Sequence, residues 1–208
     1  MAGALRRTPG YTAVRRLSSQ WELLRWKLRG CPAPPPRLVK QQIVREYARD
    51  FRLDVLVETG TYFGEMIAAT ESGFREIWSI EIEAWLHQRA QKVFAAKPHI
   101  HLLLGDSRDV LPQVLDKLDR PALFWLDGHF SGGITGKGSS ETPILQELEA
   151  IARHRVKEHV LLIDDARDFT GKNDYPSVEQ MRHYVGERFP GRAFQLENDI
   201  IRIHFPRG

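Results

Sequence analysis

The sequence predicts an α/β fold, with a mostly parallel β-sheet covered by helices on both faces and an antiparallel hairpin at its C-terminal end. From residue 38 onward, short runs of β-branched and apolar residues alternate with longer segments of helical periodicity. Near the end of the chain, two apolar runs are separated by Asn198-Asp199, a pair typical of a tight hairpin turn.

Five apolar runs are the expected parallel strands, at 55–57, 77–80, 100–104, 123–126 and 160–163. The expected helices lie between and after them, near 64–73, 84–96, 107–118, 141–154 and 177–188. The hairpin strands are expected at 194–196 and 200–205.

The charge is unevenly distributed along the 208 residues. Residues 1–30 carry seven Lys or Arg and one Glu, a net of +6, whereas the other 178 residues carry 23 basic and 26 acidic groups, a net of −3. We therefore divide the chain into a basic arm with a short helix and a Pro-rich connector, residues 1–37, and one folded domain, residues 38–208. A domain of this charge argues against nucleic acid as a partner. The lone Cys31 excludes an intramolecular disulfide and a cysteine-ligated metal site.

The helix expected in the arm has two alternative roles. Trp21, Leu24 and Leu28 share one face, with Trp26 beside them and basic residues mostly elsewhere. This face either covers the core of the domain or binds an anionic membrane surface or a partner protein. The arm is also Arg-rich and acid-poor, as organellar transit peptides are. We expect a cytoplasmic protein, with peripheral membrane contact as the alternative.

Acidic side chains follow all five parallel strands. Ligands of such sheets bind beyond the carboxyl ends of the strands, and unpaired carboxylates are costly to bury, so this edge is the predicted ligand site. Helix capping is the alternative explanation for Asp106 and for one member of the Asp164–Asp165 pair. The strand-end acids are Glu58, Glu81, Asp106, Asp127, Asp164 and Asp165.

The residues after the first strand indicate the kind of ligand. Glu58 lies where the pyrophosphate of a dinucleotide would rest, which disfavours a dehydrogenase and favours a ligand with an ammonium or sulfonium group. Glu81, 23 residues further on, is suitably spaced to accept hydrogen bonds from both ribose hydroxyls. Asp106 can accept one from an adenine amino group. A cationic amino acid, a ribose and an adenine together describe S-adenosylmethionine (SAM).

These segments resemble the motifs of class I SAM-dependent methyltransferases over residues 38–208. ETGTYFG at 58–64 resembles the glycine-rich first motif of that family, with Tyr62 in place of its usual middle glycine, and GDS at 105–107 resembles the adenine-contacting segment. The resemblance implies a Rossmann-like, doubly wound sheet and a transferase. The residues expected to bind SAM are Glu58, Gly60, Tyr62, Gly64, Glu81, Asp106, Ser107 and Asp127.

A second resemblance concerns a metal ion. Asp127, Asp164 and Asp165 are similar to the Mg²⁺ ligands of metal-dependent O-methyltransferases of the catechol and macrolide-sugar types. The resemblance implies a Mg²⁺ ion that binds a substrate hydroxyl and lowers its pKa. In the alternative, Asp127 contacts SAM or a backbone amide, and the Asp pair caps the next helix.

His129 is the candidate general base, and Asp127 is the second residue assigned to catalysis. The metal-dependent families carry their basic residue three positions after the strand-four Asp, where this chain has Phe130. The alternative is that His129 orients Asp127 or lines the pocket. The glycine-rich segment 128–141 is expected to form a lid, with Lys137 facing an anionic substrate.

The sequence therefore predicts a SAM-dependent methyltransferase that acts on a hydroxyl of a small molecule, such as a sugar or glycan precursor, with the help of a divalent metal. Two alternatives remain open. One is a metal-independent methyltransferase with His129 as the base, and the other is a SAM-binding module without catalytic turnover.

Overall fold

A computed structural model of the chain describes residues 20–128 and 142–206. Most of the basic arm lies outside these residues. So does the expected lid from residue 129 onward, including His129 and Lys137. The strands are β1 Val55–Thr59, β2 Glu76–Glu81, β3 Ile100–Leu104, β4 Leu123–Leu126, β5 Val160–Ile163, β6 Ala193–Glu197 and β7 Ile200–His204. The helices are α1 at 20–28, α2 Arg37–Asp50, α3 Glu65–Thr70, α4 Ala84–Phe94, α5 Ser107–Leu115, α6 Ile144–Arg153 and α7 Val178–Arg188.

The strands form one sheet in the order β3-β2-β1-β4-β5-β7-β6. β1 to β5 run parallel, and β7 is antiparallel to both β5 and β6. The doubly wound, Rossmann-like fold is confirmed. The strand order reverses between β1 and β4, so the carboxyl ends of these two strands flank the crevice in which such sheets bind ligands.

The C-terminal hairpin follows from local sequence signals. Asn198 and Asp199 adopt positive φ angles of 52° and 61°, the backbone conformation that a type I′ hairpin turn requires and that Asn and Asp tolerate. Before it, α7 begins with a capping box in which Ser177 and Gln180 each bind the backbone N–H of the other. The hairpin and the start of the last helix are confirmed.

Two apolar clusters cover the two faces of the sheet, because successive side chains of a strand point to opposite faces. Along β4, Phe124 belongs to the cluster under α5, α6 and α7, whereas Leu123 and Trp125 belong to the cluster under α2, α3 and α4. Glu58 of β1 pairs in register with Trp125 and Ser79. It therefore lies on the α2 side of the sheet.

Helix α1 divides its apolar residues between the domain and the solvent. Leu23 and Trp26 pack against the α2-side cluster, and Trp26 Nε1 donates a hydrogen bond to the Pro32 carbonyl at 2.7 Å. Trp21 is 65% exposed and Leu28 is 78% exposed. Only part of the helix covers the core. Within the residues that the structure describes, no helix is both long and apolar enough to cross a membrane.

Candidate active site

Glu58 is buried at the centre of the sheet edge. Its side chain accepts a hydrogen bond from the Ser79 hydroxyl at 2.6 Å, and the Thr61 hydroxyl lies 2.6 Å from Ser79 Oγ. Burial raises the pKa of Glu58 to about 8. The hydrogen bond from Ser79 opposes this shift, and the charges of Asp127 and Glu81 add to it. The carboxyl group is thus fixed in position and is mostly protonated at neutral pH until a cation approaches it.

The loop after β1 has the left-handed backbone of a glycine-rich ligand loop. Gly60, Tyr62 and Gly64 have φ angles of 88°, 49° and 72°. Tyr62 thus adopts a conformation that glycine favours, at the position where the resembled family has its middle glycine. A Cβ atom on Gly60 would lie 2.6 Å from the carbonyl oxygen of Asp127, so β1 and β4 approach closely at the crevice.

Glu81 is held by two backbone N–H groups. Tyr62 N donates to Oε2 at 2.7 Å, and Glu83 N donates to Oε1 at 2.9 Å. Each carboxylate oxygen has a second lone pair, so Glu81 can still accept one hydrogen bond on each oxygen, as two ribose hydroxyls require. Ile82 and Trp85 are partly exposed beside it and offer apolar surface for a flat ring. These residues fit the nucleoside part of SAM.

Asp106 is a helix cap. Its Oδ1 accepts the backbone N–H of Arg108 at 3.0 Å, and the Arg108 guanidinium binds both of its oxygens. The hydrogen bonds from Arg108 hold the pKa of Asp106 below its ordinary value, against the effect of partial burial. The capping explanation is confirmed for this residue. Contacts of Asp106 and of the buried Ser107 with an adenine remain predictions.

Asp127, Asp164 and Asp165 form an acidic cluster at the ends of β4 and β5. One carboxylate oxygen from each lies within 4.8 Å of the others, as a shared ligand would require. Asp164 and Asp165 are 4% and 8% exposed, and Asp165 has a positive φ of 53°. The structure thus brings together the three residues that the sequence predicts as metal ligands.

Basic side chains already bind two members of this cluster. Lys40 Nζ lies 2.5 Å from Asp164 Oδ2 and 3.1 Å from Asp165 Oδ1, and Arg167 binds Asp165 Oδ1 at 2.8 Å. Burial disfavours the Lys40 ammonium, but Asp164 and Asp165 outweigh it and raise its pKa. With a charged ammonium on these oxygens, the cluster does not fit a divalent ion. The metal site remains a prediction.

Sequence reasoning missed Lys40. It lies in the first turn of α2, 124 residues before Asp164, and belongs to no strand end. One signal could have found it. A helix that leads directly into a strand runs antiparallel to it, so the first turn of α2 must lie at the carboxyl edge of the sheet, where its basic residues meet the strand-end acids.

A cavity of about 690 Å³ lies between α7 and the segment before it. Tyr175 lines the cavity, and its phenol is close enough to Thr142 for a hydrogen bond and to Asp165 and Asp127 to be affected by their charges. Burial and the charge of Asp168, with smaller effects of Asp165 and Asp127, raise the pKa of Tyr175. Tyr175 thus connects the cavity with the neighbourhood of the acidic cluster. The other polar walls of the cavity include Asp174, Glu179, His183 and Glu187.

The chain is similar to known proteins in its fold but not in its sequence. No family model and no curated protein sequence matches the chain. An O-methyltransferase from Bacillus cereus, crystallised with S-adenosylhomocysteine (SAH), is 12% identical, with a TM-score of 0.60 over 90% of each chain. TomG from Streptomyces achromogenes, an O-methyltransferase of tomaymycin synthesis solved with SAM, is 14% identical, with a TM-score of 0.59 over 91% of this chain and 89% of its own.

A third similar structure is the SAH-bound methyltransferase PaMTH1 from Podospora anserina. It is 17% identical and has a TM-score of 0.55 over 80% of this chain and 78% of its own. At these identities the likeness concerns the fold. The chain has the Rossmann-like fold of class I SAM-dependent methyltransferases.

Proposed function

We propose that this protein is a SAM-dependent methyltransferase that acts on a hydroxyl group of a small molecule. The observation that carries the proposal is the pair of buried carboxyl groups on neighbouring strands, Glu58 in β1 and Glu81 at the end of β2. One matches a cationic group, which would stabilise the ionised Glu58 carboxylate, and the other matches a ribose diol, whereas a pyrophosphate would offer Glu58 no such compensation. The similar structures solved with SAM or SAH support the same cofactor.

Bound SAM supplies a methyl group on a positively charged sulfur. Glu81 binds the ribose, Glu58 faces the cationic part of the cofactor, and Gly60 lets the backbone of the β1 loop approach closely. Asp127 lies at the crevice as a member of the acidic cluster, where it can orient the acceptor. Positioning of this kind supplies much of the rate of an in-line methyl transfer. In this proposal His129, two residues after Asp127, is the base that removes the hydroxyl proton.

The acceptor side supports a small hydroxylated substrate. The cavity beside α7 is connected to the neighbourhood of Asp165 and Asp127 through Tyr175, and its lining combines hydrogen-bonding side chains with a larger apolar surface. The named O-methyltransferases of similar fold support oxygen as the methylated atom. A sugar or glycan precursor has hydroxyl groups for the polar side chains and a C–H ring face for the apolar surface.

Calorimetric titration with SAM across pH tests the cofactor assignment. Below pH 8 Glu58 must lose its proton to face a cation. SAM affinity should therefore rise by up to about tenfold per pH unit as the pH increases to about 8, and then level off. Glu58→Gln should bind SAM more weakly and lose this pH dependence. The penalty should be larger for SAM than for SAH if the sulfonium is the group that Glu58 faces.

Glu76→Gln, at the opposite end of β2, is the matched control and should leave SAM affinity unchanged. Binding of NAD in preference to SAM would overturn the proposed function. A SAM affinity that ignores both pH and the Glu58 substitution would remove the role assigned to this residue. A protein that binds SAM but methylates none of a broad panel of small hydroxylated compounds would favour the non-catalytic module.

We propose a separate role for the solvent-exposed face of α1, which we infer binds an anionic lipid surface. Trp21, Leu24 and Leu28 are exposed apolar side chains on a helix that also carries Arg25 and Lys27, a combination typical of interfacial helices. The double variant Trp21→Ala with Leu28→Ala should co-sediment less than the wild type with vesicles containing phosphatidylserine. High salt should reduce the co-sedimentation of the wild type. Trp85→Ala, which removes an exposed tryptophan elsewhere, should sediment like the wild type. Equal binding to neutral vesicles would contradict the proposal.

A further inference from the structure

The acidic cluster contains its own cation. Three carboxyl groups meet there, and the ammonium of Lys40 donates to two of them, Asp164 and Asp165. The Lys40 side chain is 16% exposed, and the Asp164 side chain is 1% exposed. Two of the three candidate metal ligands are therefore already bound to a positive charge that the chain supplies.

We propose that Lys40 takes the place of a divalent metal in this cluster, so that the protein works at this site without a metal ion. Lys40 is held there by its helix. Its neighbours Val39, Ile43 and Val44 are buried in the α2-side cluster, which fixes the first turn of α2 over the ends of β4 and β5. The flexible stem of Lys40 thus starts from a rigid position.

The position of the Lys40 ammonium explains why a metal would be excluded. Lys40 bridges Asp164 and Asp165, and Arg167 binds both Asp165 and Asp199, so both acids that Lys40 holds already have cationic partners. A divalent ion would have to displace Lys40 from Asp164 and Asp165 while the ammonium remained nearby. Two like charges at that distance in a poorly solvated site repel strongly.

Lys40 can also contact the methyl acceptor, a role that rests on the proposed function. Among the described residues, its hydrogen-bond partners are Asp164 and Asp165, so two of its three N–H groups are used. The third can donate to the acceptor oxygen, and the held carboxylates can then orient the rest of the acceptor. This is the orienting role that the resemblance assigns to Mg²⁺, supplied here by a side chain.

Binding of Mn²⁺ to the full-length protein, followed by electron paramagnetic resonance, tests the proposal directly. The wild type should show no specific Mn²⁺ binding. Lys40→Met should bind Mn²⁺ specifically, at least about tenfold more tightly than any residual binding by the wild type, because the substitution removes the cation that compensates the acids. Mn²⁺ should then raise the melting temperature of Lys40→Met and leave that of the wild type unchanged. Lys40→Arg, which keeps the positive charge, should behave like the wild type.

Arg49→Met is the matched control, because it removes a cation from the same helix at an exposed ion pair with Asp50. It should not gain Mn²⁺ binding. Specific binding of Mn²⁺ by the wild type would overturn the proposal, and this result does not depend on the folding of any variant. Failure of Lys40→Met to bind more tightly than the wild type would overturn it too.

Calorimetry with SAM on the same samples separates this proposal from the proposed function. Lys40→Met should retain wild-type SAM affinity, because Lys40 contacts neither Glu58 nor Glu81 in the structure. If Lys40→Met gains Mn²⁺ binding but neither protein binds SAM, the result would support Lys40 as the resident cation and contradict the methyltransferase assignment.

Discussion

Glu81→Ala should weaken the binding of both SAM and SAH by about a hundredfold or more. Glu81 is expected to accept hydrogen bonds from both ribose hydroxyls, and hydrogen bonds to a charged group contribute roughly 1.5–3 kcal/mol each. The two ligands share the ribose, so they should lose affinity by similar factors. This distinguishes Glu81 from Glu58, which should favour the positively charged ligand.

The same substitution removes the acceptor of the Tyr62 and Glu83 N–H groups, so part of the loss reflects a displaced β1 loop. Glu81→Gln keeps the shape of the side chain and should lose less affinity. Calorimetry measures each affinity, and thermal unfolding reports the stability of each variant. Glu76→Ala, on the same strand, is the control. SAM affinity within threefold of wild type in a folded Glu81→Ala would remove the ribose role, because the ribose bonds carry far more than that.

Gly60→Ala should lower the free energy of unfolding by about 2–4 kcal/mol, because it combines a left-handed backbone with a backbone clash. The φ of Gly60 is 88°, and its added Cβ would lie 2.6 Å from the Asp127 carbonyl oxygen. Both groups belong to strand ends that the sheet fixes, so neither can move without disturbing the crevice. The substitution should therefore also weaken SAM binding.

Urea denaturation measures this effect. Gly186→Ala provides the matched control, because Gly186 lies in α7, has an ordinary φ, and has open space around its would-be Cβ. Alanine in a helix should stabilise the protein there, by about 0.5–1 kcal/mol. Equal effects of the two substitutions would show that the contact with Asp127 is unimportant.

Much of the fold could be predicted because its signals are local. The alternation of apolar runs and helices, the Asn198-Asp199 turn and the start of α7 at Ser177 each depend on a few neighbouring residues. The strand-end acids could be predicted for a related reason. In a parallel sheet the carboxyl ends of the strands meet at one edge, so the topology brings Asp127 and Asp164 together once the strands are known.

The sequence by itself thus determined the doubly wound sheet, its hairpin, and an edge rich in acids suited to SAM. Only the tertiary structure decided how those acids are paired. Asp106 caps α5 and binds Arg108, whereas Asp164 and Asp165 bind Lys40 from a helix 124 residues away. Helical periodicity specifies which face of α2 is apolar, but not which strand end its first turn covers. That contact depends on how the helix packs across the sheet, and it determines whether the acidic cluster holds a metal ion or the protein's own lysine.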